Sequence, residues 1–253
     1  MPRSRQKVIV CILGPIAYQK AWDLQKKLQA RLVEEKRAPN PQPIPHVCLM
    51  VEHPPVYTLG KSGNRSNLLV DGNTLESDGA EFFHIDRGGD ITYHGPGQVV
   101  GYPILDLDRF YTDIHRYLRD LEEVIIRTCA SYQIKSTRID GRTGVWVEED
   151  DQGSERKISA MGIRCSRWVT MHGFAFNVNT DLERYNAIVP CGISDRGVTS
   201  MQAELGIPIT ESDVHKTLLD HFQDVFDVDL EVVEGKEADG FLAAYLAEKA
   251  LID

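Results

Sequence analysis

Strand-like and helix-like segments follow one another in this chain without a regular alternation, and their order constrains the fold more than any other feature. The runs KVIVCILG (residues 7–14) and HVCLMVEH (46–53) are continuous apolar stretches typical of buried strands. Between them, residues 16–36 carry apolar side chains at a spacing of three to four, which predicts a helix. The segments EFFHID (81–86) and VVGYPILDL (99–107) then predict two further strands.

The second half of the chain continues this irregular order. Asp113 is placed to cap a helix that runs to about residue 134. TGVWVEE and the long stretch at 157–179 predict strands on either side of an acidic turn, EEDDQGSE, and residues 210–226 predict a helix. A strand at 229–234 and a short helix follow. This mixture predicts an α+β or mixed α/β fold on a largely antiparallel sheet, arranged as one domain or as a large and a small lobe.

Composition and charge exclude several classes of protein. The net charge of −10 argues against a general nucleic-acid binder, because such proteins carry a basic surface. No segment is apolar over the length that crosses a bilayer, and the start of the chain lacks the layout of a secretory signal. We therefore expect a cytoplasmic protein with neither a nucleic-acid nor a membrane partner.

The five cysteines include no CxxC pair, so reduced thiols are expected rather than a disulfide framework or a zinc site. No HExxH motif is present either, and no metal is expected. Cys11, Cys48 and Cys129 lie in apolar faces, where a cysteine serves as a small buried side chain. Cys165 alternates with charged neighbours and fits either a structural or a reactive role. Cys191 lies in a Pro-Cys-Gly bend, which favours a thiol presented by a loop.

Two glycine-containing stretches allow a structural and a functional interpretation. RGGDITYHGPGQVVGYP (87–103) is compatible with a hairpin and a tight turn, or with a loop whose backbone contacts a ligand. Lys157 opens a predicted strand, where a lysine is most often exposed. The small residues Ala160, Gly162 and Gly173 would leave room for a narrow apolar ligand or would serve close strand packing.

Taken together, six stretches in this order resemble the octanoyltransferases of lipoate biosynthesis, also called the lipoate-protein ligase B family. They are EHPPVYTLG (52–60), RGGDITYHGPGQ (87–98), GVWV (144–147), KISAMGIR (157–164), HGFAFNVN (172–179) and PCGI (190–193). The resemblance spans residues 46–206. It implies a fold like that of the biotin and lipoate protein ligases, with helices flanking a mixed, largely antiparallel sheet. It also implies one catalytic domain over residues 1–253, a monomer, and no cofactor.

The resemblance further implies a reaction. The octanoyl group of octanoyl-acyl carrier protein would move through a thioester on Cys191 to a lysine of a lipoyl domain. The acceptors would be the 2-oxoacid dehydrogenases and the glycine cleavage H protein. Lys157 would be the partner of Cys191, and His53 is a further candidate for the site wall. The implied substrate-binding residues are Arg87, Gly88, Gly89, Asp90, Ile91, Thr92, Tyr93, His94, Ala160, Met161, Gly162, Gly173, Phe174 and Ala175.

Two other functions remain open at this point. A lipoate or biotin ligase of the same fold would activate a free acid with ATP, but it needs no nucleophilic cysteine. A protein that only binds acyl carriers or lipoyl domains would explain the small-residue strands. That second alternative leaves Cys191 and Lys157 without a purpose.

Overall fold

A computed structural model describes residues 5–148, 155–189 and 197–247. Its strands are β1 (Gln6–Pro15), β2 (His46–Glu52), β3 (Val56–Leu59), β4 (Glu81–His84), β5 (Ile91–His94), β6 (Gln98–Ile104), β7 (Ser136–Thr137), β8 (Val145–Val147), β9 (Arg156–Ser166), β10 (Val169–Asn177) and β11 (Val228–Glu234). Its α-helices are α1 (Tyr18–Lys36), α2 (Gly72–Ser77), α3 (Ile114–Ser131), α4 (Met201–Leu205), α5 (Glu211–Phe226) and α6 (Gly235–Ala247).

An eight-stranded sheet in the order β11-β1-β2-β6-β10-β9-β8-β7 forms the centre of the fold. β1 pairs in parallel with β11 and β2, and the neighbours from β2 to β7 pair antiparallel. The prediction of a mixed, largely antiparallel sheet is therefore confirmed.

Helices cover both faces of this sheet, because alternate side chains of its strands point to opposite sides. On one face, Tyr117 and Leu121 of α3 and Leu218 of α5 share an apolar core with Met50 and Phe176. A second core on the other face joins α1 and α6 to the sheet through Leu28, Leu32, Leu49, Val100 and Leu242.

The sequence did not reveal the second sheet, which has three strands in the order β4-β3-β5. The hairpin interpretation of residues 87–103 is wrong for this reason: β5 pairs with β3, whereas β6 lies in the large sheet. The chain crosses from one sheet to the other at Gly95–Gly97, where Gly97 has a φ of +78°. A Cβ on Gly97 would lie 2.5 Å from the carbonyl oxygen of Asn179, so only glycine fits.

The other predicted elements are confirmed within one to three residues at most ends. Asp113 caps α3, and its carboxylate accepts a hydrogen bond from the Arg116 backbone N–H at 3.0 Å. Cys11, Cys48 and Cys129 are buried as predicted. Residues 149–154 of the acidic turn lie outside the described residues. In the described part of the chain, no helix has the length and apolar character needed to span a membrane.

Candidate active site

Residues of both sheets line a cavity of about 500 Å³. One wall is formed by β6, β9 and β10 of the large sheet, and another by β5 and the loop at residues 87–90. The loop before β8 and one side chain of α3 complete it. The lining residues are Tyr18, Ser62, Arg87, Gly88, Gly89, Asp90, Ile91, Thr92, His94, Val100, Tyr102, Leu118, Gly141, Arg142, Thr143, Lys157, Ala160, Met161, Gly162, Ile163, His172, Gly173, Phe174 and Ala175.

The cavity brings together nearly all of the candidate site residues that lie in the described ranges. His53 does not border the cavity, and neither does the ring of Tyr93. That ring packs between Tyr57 and Tyr185, with centroid distances of 5.2 and 5.6 Å. Cys191 lies outside the described residues.

Lys157 is buried in the cavity wall, with 8% of its surface exposed. The expectation of an exposed strand-end lysine is therefore wrong. Its Nζ lies 4.6 Å from the centroid of the Trp146 ring, which packs under it. The Lys157 backbone N–H donates to Gly197 O at 3.0 Å, and its carbonyl accepts from Thr199 N–H at 2.9 Å. This pairing ties Lys157 to the chain that directly follows residues 190–196.

Arg87 holds the glycine-rich loop in place through its guanidinium group. Nη2 donates to the carbonyl and hydroxyl oxygens of Thr58 at 2.8 and 3.0 Å, and Nη1 donates to Gly88 O at 3.0 Å. Gly88 N–H in turn donates to Ile163 O at 2.9 Å, so the loop is bonded to β9. The loop is thus a fixed wall of the cavity.

The glycines at 162 and 173 are required by close packing, and both also border the cavity. A Cβ on Gly162 would lie 2.7 Å from Gly88 O, and one on Gly173 would lie 2.2 Å from Gly101 O. Ala160 and Ala175 are paired across β9 and β10, and their small side chains leave space in the cavity that they border. Both interpretations of the small residues therefore apply to this site.

Uncharged imidazoles form the inner part of the site. His94 is buried, and its burial lowers its pKa to about 3. Its Nδ1 lies 2.8 Å from Gln98 Oε1 and its Nε2 lies 3.2 Å from Thr58 Oγ1. Burial also lowers the pKa of His53 to about 4. His53 does not border the cavity but lies behind Tyr102, whose hydroxyl is 2.8 Å from its Nε2.

His172 borders the cavity beside these groups, in an unusual backbone conformation. Its φ is +60°, which a residue with a side chain rarely adopts inside a strand. Its Nε2 lies 3.1 Å from Asp86 Oδ1, and its backbone N–H donates to Gln25 Oε1 at 2.9 Å. Burial lowers the pKa of His172, although Asp86 opposes that shift.

Sequence reasoning missed several lining residues, chiefly Tyr18, Tyr102, Leu118, Arg142 and His172. Tyr18 and Tyr102 lie in an amphipathic helix and an apolar strand, where an aromatic side chain predicts core packing. No local pattern marks either residue as part of a cavity wall. His172 stands at the head of HGFAFNVN, but its backbone conformation leaves no signal in the sequence.

The described residues contain no group of three or more His, Cys, Asp or Glu side chains that could hold a metal ion. The basic and acidic side chains that line the cavity are Arg87, Asp90, Arg142 and Lys157, and the imidazoles of His94 and His172 also border it. The site therefore has three basic groups, one carboxyl group and neutral polar groups available for chemistry, next to apolar surface.

Comparison with solved structures defines the fold class. A bipartite lipoate protein ligase from Thermoplasma acidophilum superposes with a TM-score of 0.68 at 15% identity, covering 96% of this chain and 93% of that chain. A lipoate-protein ligase A bound with ATP superposes with a TM-score of 0.68 at 14% identity, covering 96% and 95%. The fold is thus that of the lipoate-protein ligases.

Comparison with sequences identifies the family. Residues 17–223 match the lipoyl protein ligase A/B catalytic domain. The octanoyltransferase of Flavobacterium psychrophilum is 52% identical and covers 85% of this chain and 94% of its own length. That of Cytophaga hutchinsonii is 50% identical and covers 90% and 96%. The chain therefore belongs to the octanoyltransferases, a family of acyltransferases that shares this catalytic domain.

Proposed function

We propose that this protein moves an octanoyl group from octanoyl-acyl carrier protein to a lysine of a lipoyl domain, through a thioester on Cys191. The observation that carries the proposal is the position of Lys157, a buried amine in the cavity wall whose backbone pairs with the chain just after residues 190–196. The relatives named octanoyltransferase support the identity of the acyl group.

The other four cysteines support Cys191 by their surroundings. Burial raises the pKa of Cys11 and of Cys129 to about 12, and it also raises the pKa of Cys48. The pKa of Cys165 is raised as well, mainly by burial. Because the thiolate is the nucleophile, each of these four thiols is poorly suited to attack an acyl group.

The first half-reaction is acylation of Cys191. A free thiol has a pKa near 8.5, so only a small fraction is thiolate at neutral pH, and a nearby ammonium raises that fraction. The thiolate attacks the carbonyl carbon of the donor thioester, and the bond to the carrier's sulfur breaks. The leaving carrier thiolate takes up the proton of the Lys157 ammonium, which leaves Lys157 neutral for the second half-reaction. One thioester replaces another, so the free-energy change of this step is close to zero.

The second half-reaction delivers the acyl group to the acceptor. The incoming lysine must be neutral at nitrogen to attack, and Lys157 in its neutral form accepts the proton that is lost when the amide forms. The Cys191 thiolate then leaves.

The shape of the cavity suits a flexible acyl chain. From Lys157 to Gly162 the wall runs along six residues of β9, which span roughly 16 Å at the usual rise of a strand. A volume of about 500 Å³ lies within the usual range for small-molecule sites.

We further propose that residues 1–253 form a single catalytic domain acting as a cytoplasmic monomer. The 2-oxoacid dehydrogenases and the glycine cleavage H protein would be its acceptors.

Intact mass spectrometry tests the proposal. Wild-type protein incubated with octanoyl-acyl carrier protein should gain one octanoyl group that hydroxylamine removes. Cys191→Ser should carry no hydroxylamine-labile group, whereas the control Cys165→Ser should acylate normally. Labile acylation of Cys191→Ser, or its loss in Cys165→Ser, would refute the assignment.

A parallel assay separates this function from the ATP-dependent ligase alternative. Free octanoate and ATP should not replace the carrier-bound donor in octanoylation of a lipoyl domain. If they do, the chain acts as a ligase.

A further inference from the structure

A second cation lies in the cavity wall beside Lys157. Arg142 borders the cavity in the loop before β8, together with Gly141 and Thr143. The loop is shaped by a turn in which Arg142 N–H donates to Ile139 O at 3.1 Å. The position of Arg142 is therefore set by backbone bonds, and its side chain is left for the cavity.

Arg142 is only partly buried, but one nitrogen of its guanidinium group is enclosed. Its Nη1 is inaccessible to water and has no hydrogen-bond partner within the described ranges. A guanidinium stays charged at all physiological pH values, and burying its N–H groups without acceptors is costly. An acceptor atom of a substrate bound in the cavity would satisfy this nitrogen.

The Trp146 ring links Arg142 to the proposed reaction centre. Arg142 Cζ lies 6.0 Å and Lys157 Nζ lies 4.6 Å from the centroid of this one ring. Trp146 is buried in β8, so it is a rigid platform for both cations. Both residues border the cavity, so each positive group favours negative charge on a molecule that binds there.

We propose that Arg142 is a further catalytic residue, which donates hydrogen bonds from its guanidinium group to the acyl carbonyl oxygen of the bound thioester. This inference rests on the proposed function. As Cys191 attacks, the carbonyl oxygen gains a negative charge, which the guanidinium stabilises. The charge returns to the carbonyl when the carrier thiolate leaves, and Arg142 itself gains or loses no proton. The same contact would serve the attack by the acceptor lysine.

Single-turnover acylation by octanoyl-acyl carrier protein tests the role of Arg142. Removal of one donor to a developing oxyanion lowers a rate on the order of 10²–10³-fold, and we expect this loss in Arg142→Gln. Arg142→Lys keeps the charge without the planar pair of donors and should lose less. Lys135→Gln, which removes an exposed cation ahead of the same loop, should acylate at the wild-type rate.

A second readout separates the carbonyl from the thiol as the target of Arg142. The pH dependence of Cys191 alkylation by iodoacetamide should be the same in wild type and Arg142→Gln. A shift of that profile to higher pH that accounts for the slower acylation would overturn the proposal, because Arg142 would then act on the thiolate. Unchanged acylation in Arg142→Gln would overturn it as well.

Further controls distinguish the role of Arg142 from a folding defect in the variant and from failure of the proposed function. Matching circular dichroism and melting temperatures show that a variant is folded, and if Arg142→Gln fails there, Arg142→Lys carries the test. A wild-type protein that forms no acyl-enzyme refutes the proposed function. If the wild-type protein acylates and the Arg142 variants acylate equally fast, only the role of Arg142 is refuted.

Discussion

His46 shows how one buried side chain makes stability depend on pH. It lies at the start of β2, where its Nδ1 accepts a hydrogen bond from Asp106 N–H at 3.2 Å. Burial, assisted by Arg109, lowers its pKa from 6.5 to about 3. The unfolded chain therefore binds a proton below pH 6.5 that the folded protein does not bind. Stability falls as the pH drops from 6.5 towards 3.

We predict that His46→Gln removes part of this acid sensitivity. At pH 5 the neutral, buried imidazole lowers the free energy of unfolding by about 2 kcal/mol relative to pH 7. Urea unfolding at the two pH values should show a loss that is smaller by about this amount in the variant, whose side chain keeps an acceptor. Replacing the exposed His84 with Gln is the control, and an equal loss in wild type and His46→Gln would contradict the prediction.

Two glycines should respond in opposite ways to the same substitution. Gly173→Ala should destabilise the protein by about 1–3 kcal/mol or more, because its Cβ would lie 2.2 Å from the backbone oxygen of Gly101. Gly240 lies in α6 with open space around it, so Gly240→Ala should stabilise by about 0.4–1 kcal/mol. Denaturant unfolding measures both, and equal effects would show that the packing at Gly173 is more tolerant than its geometry indicates.

For single residues, the sequence predicted which ones belong to the site better than it predicted what surrounds them. Lys157 and the RGGD loop were singled out by their motifs, but nothing in KISAMGIR indicates that the lysine is buried. Its burial depends on Trp146 and Gly197, which belong to other segments of the chain. Arg142 could not be distinguished from a solvated arginine, because the sequence does not show that its Nη1 is enclosed without a hydrogen-bond partner among the described residues.

Among the elements, the loop before β8 depends on one carboxylate of α3. Glu122 is fully buried, and its Oε1 accepts a hydrogen bond from Gly144 N–H at 2.9 Å. Its Oε2 lies 3.0 Å from Arg119 Nη1 and 3.1 Å from Arg138 Nε. Burial raises the pKa of Glu122, while these donors oppose the shift. These contacts of Glu122 hold the loop that carries Arg142 in place.

We predict that Glu122→Ala lowers the free energy of unfolding by about 1–3 kcal/mol, because the buried Gly144 N–H loses its acceptor. Glu122→Gln keeps an acceptor oxygen and should lose less. Urea unfolding measures the difference. Equal losses in the two variants would show that the charge of Glu122, rather than the bond to Gly144, holds the loop.

Elements with strong periodicity were predictable, and those defined by tertiary pairing were not. The helices α1, α3 and α5 follow directly from the spacing of their apolar residues and, in α3, from the cap at Asp113. The short strands β3 and β5 pair with each other across more than thirty residues of sequence, and no local pattern encodes that partner. Residues 87–103 therefore suggested a hairpin, whereas the chain crosses between two sheets.

For the molecule as a whole, the ends of the described chain meet in one sheet. β11 near the C-terminal end pairs with β1 near the N-terminal end over seven residue pairs. The two large apolar cores lie against opposite faces of that same sheet. We therefore predict one cooperative unfolding transition, with coincident curves from circular dichroism and tryptophan fluorescence. Two resolved transitions would contradict the proposed single domain over residues 1–253.

The central claim is that the octanoyl group passes through Cys191 on its way to the acceptor lysine. The most direct test isolates the enzyme carrying radiolabelled octanoate, free of donor, and mixes it with a lipoyl domain that lacks its modification. The label should move to the lysine of the lipoyl domain at least as fast as the overall reaction proceeds, and transfer from acylated Lys157→Met should be much slower. Label that stays on the enzyme while the complete reaction proceeds would show that the octanoyl group does not pass through Cys191.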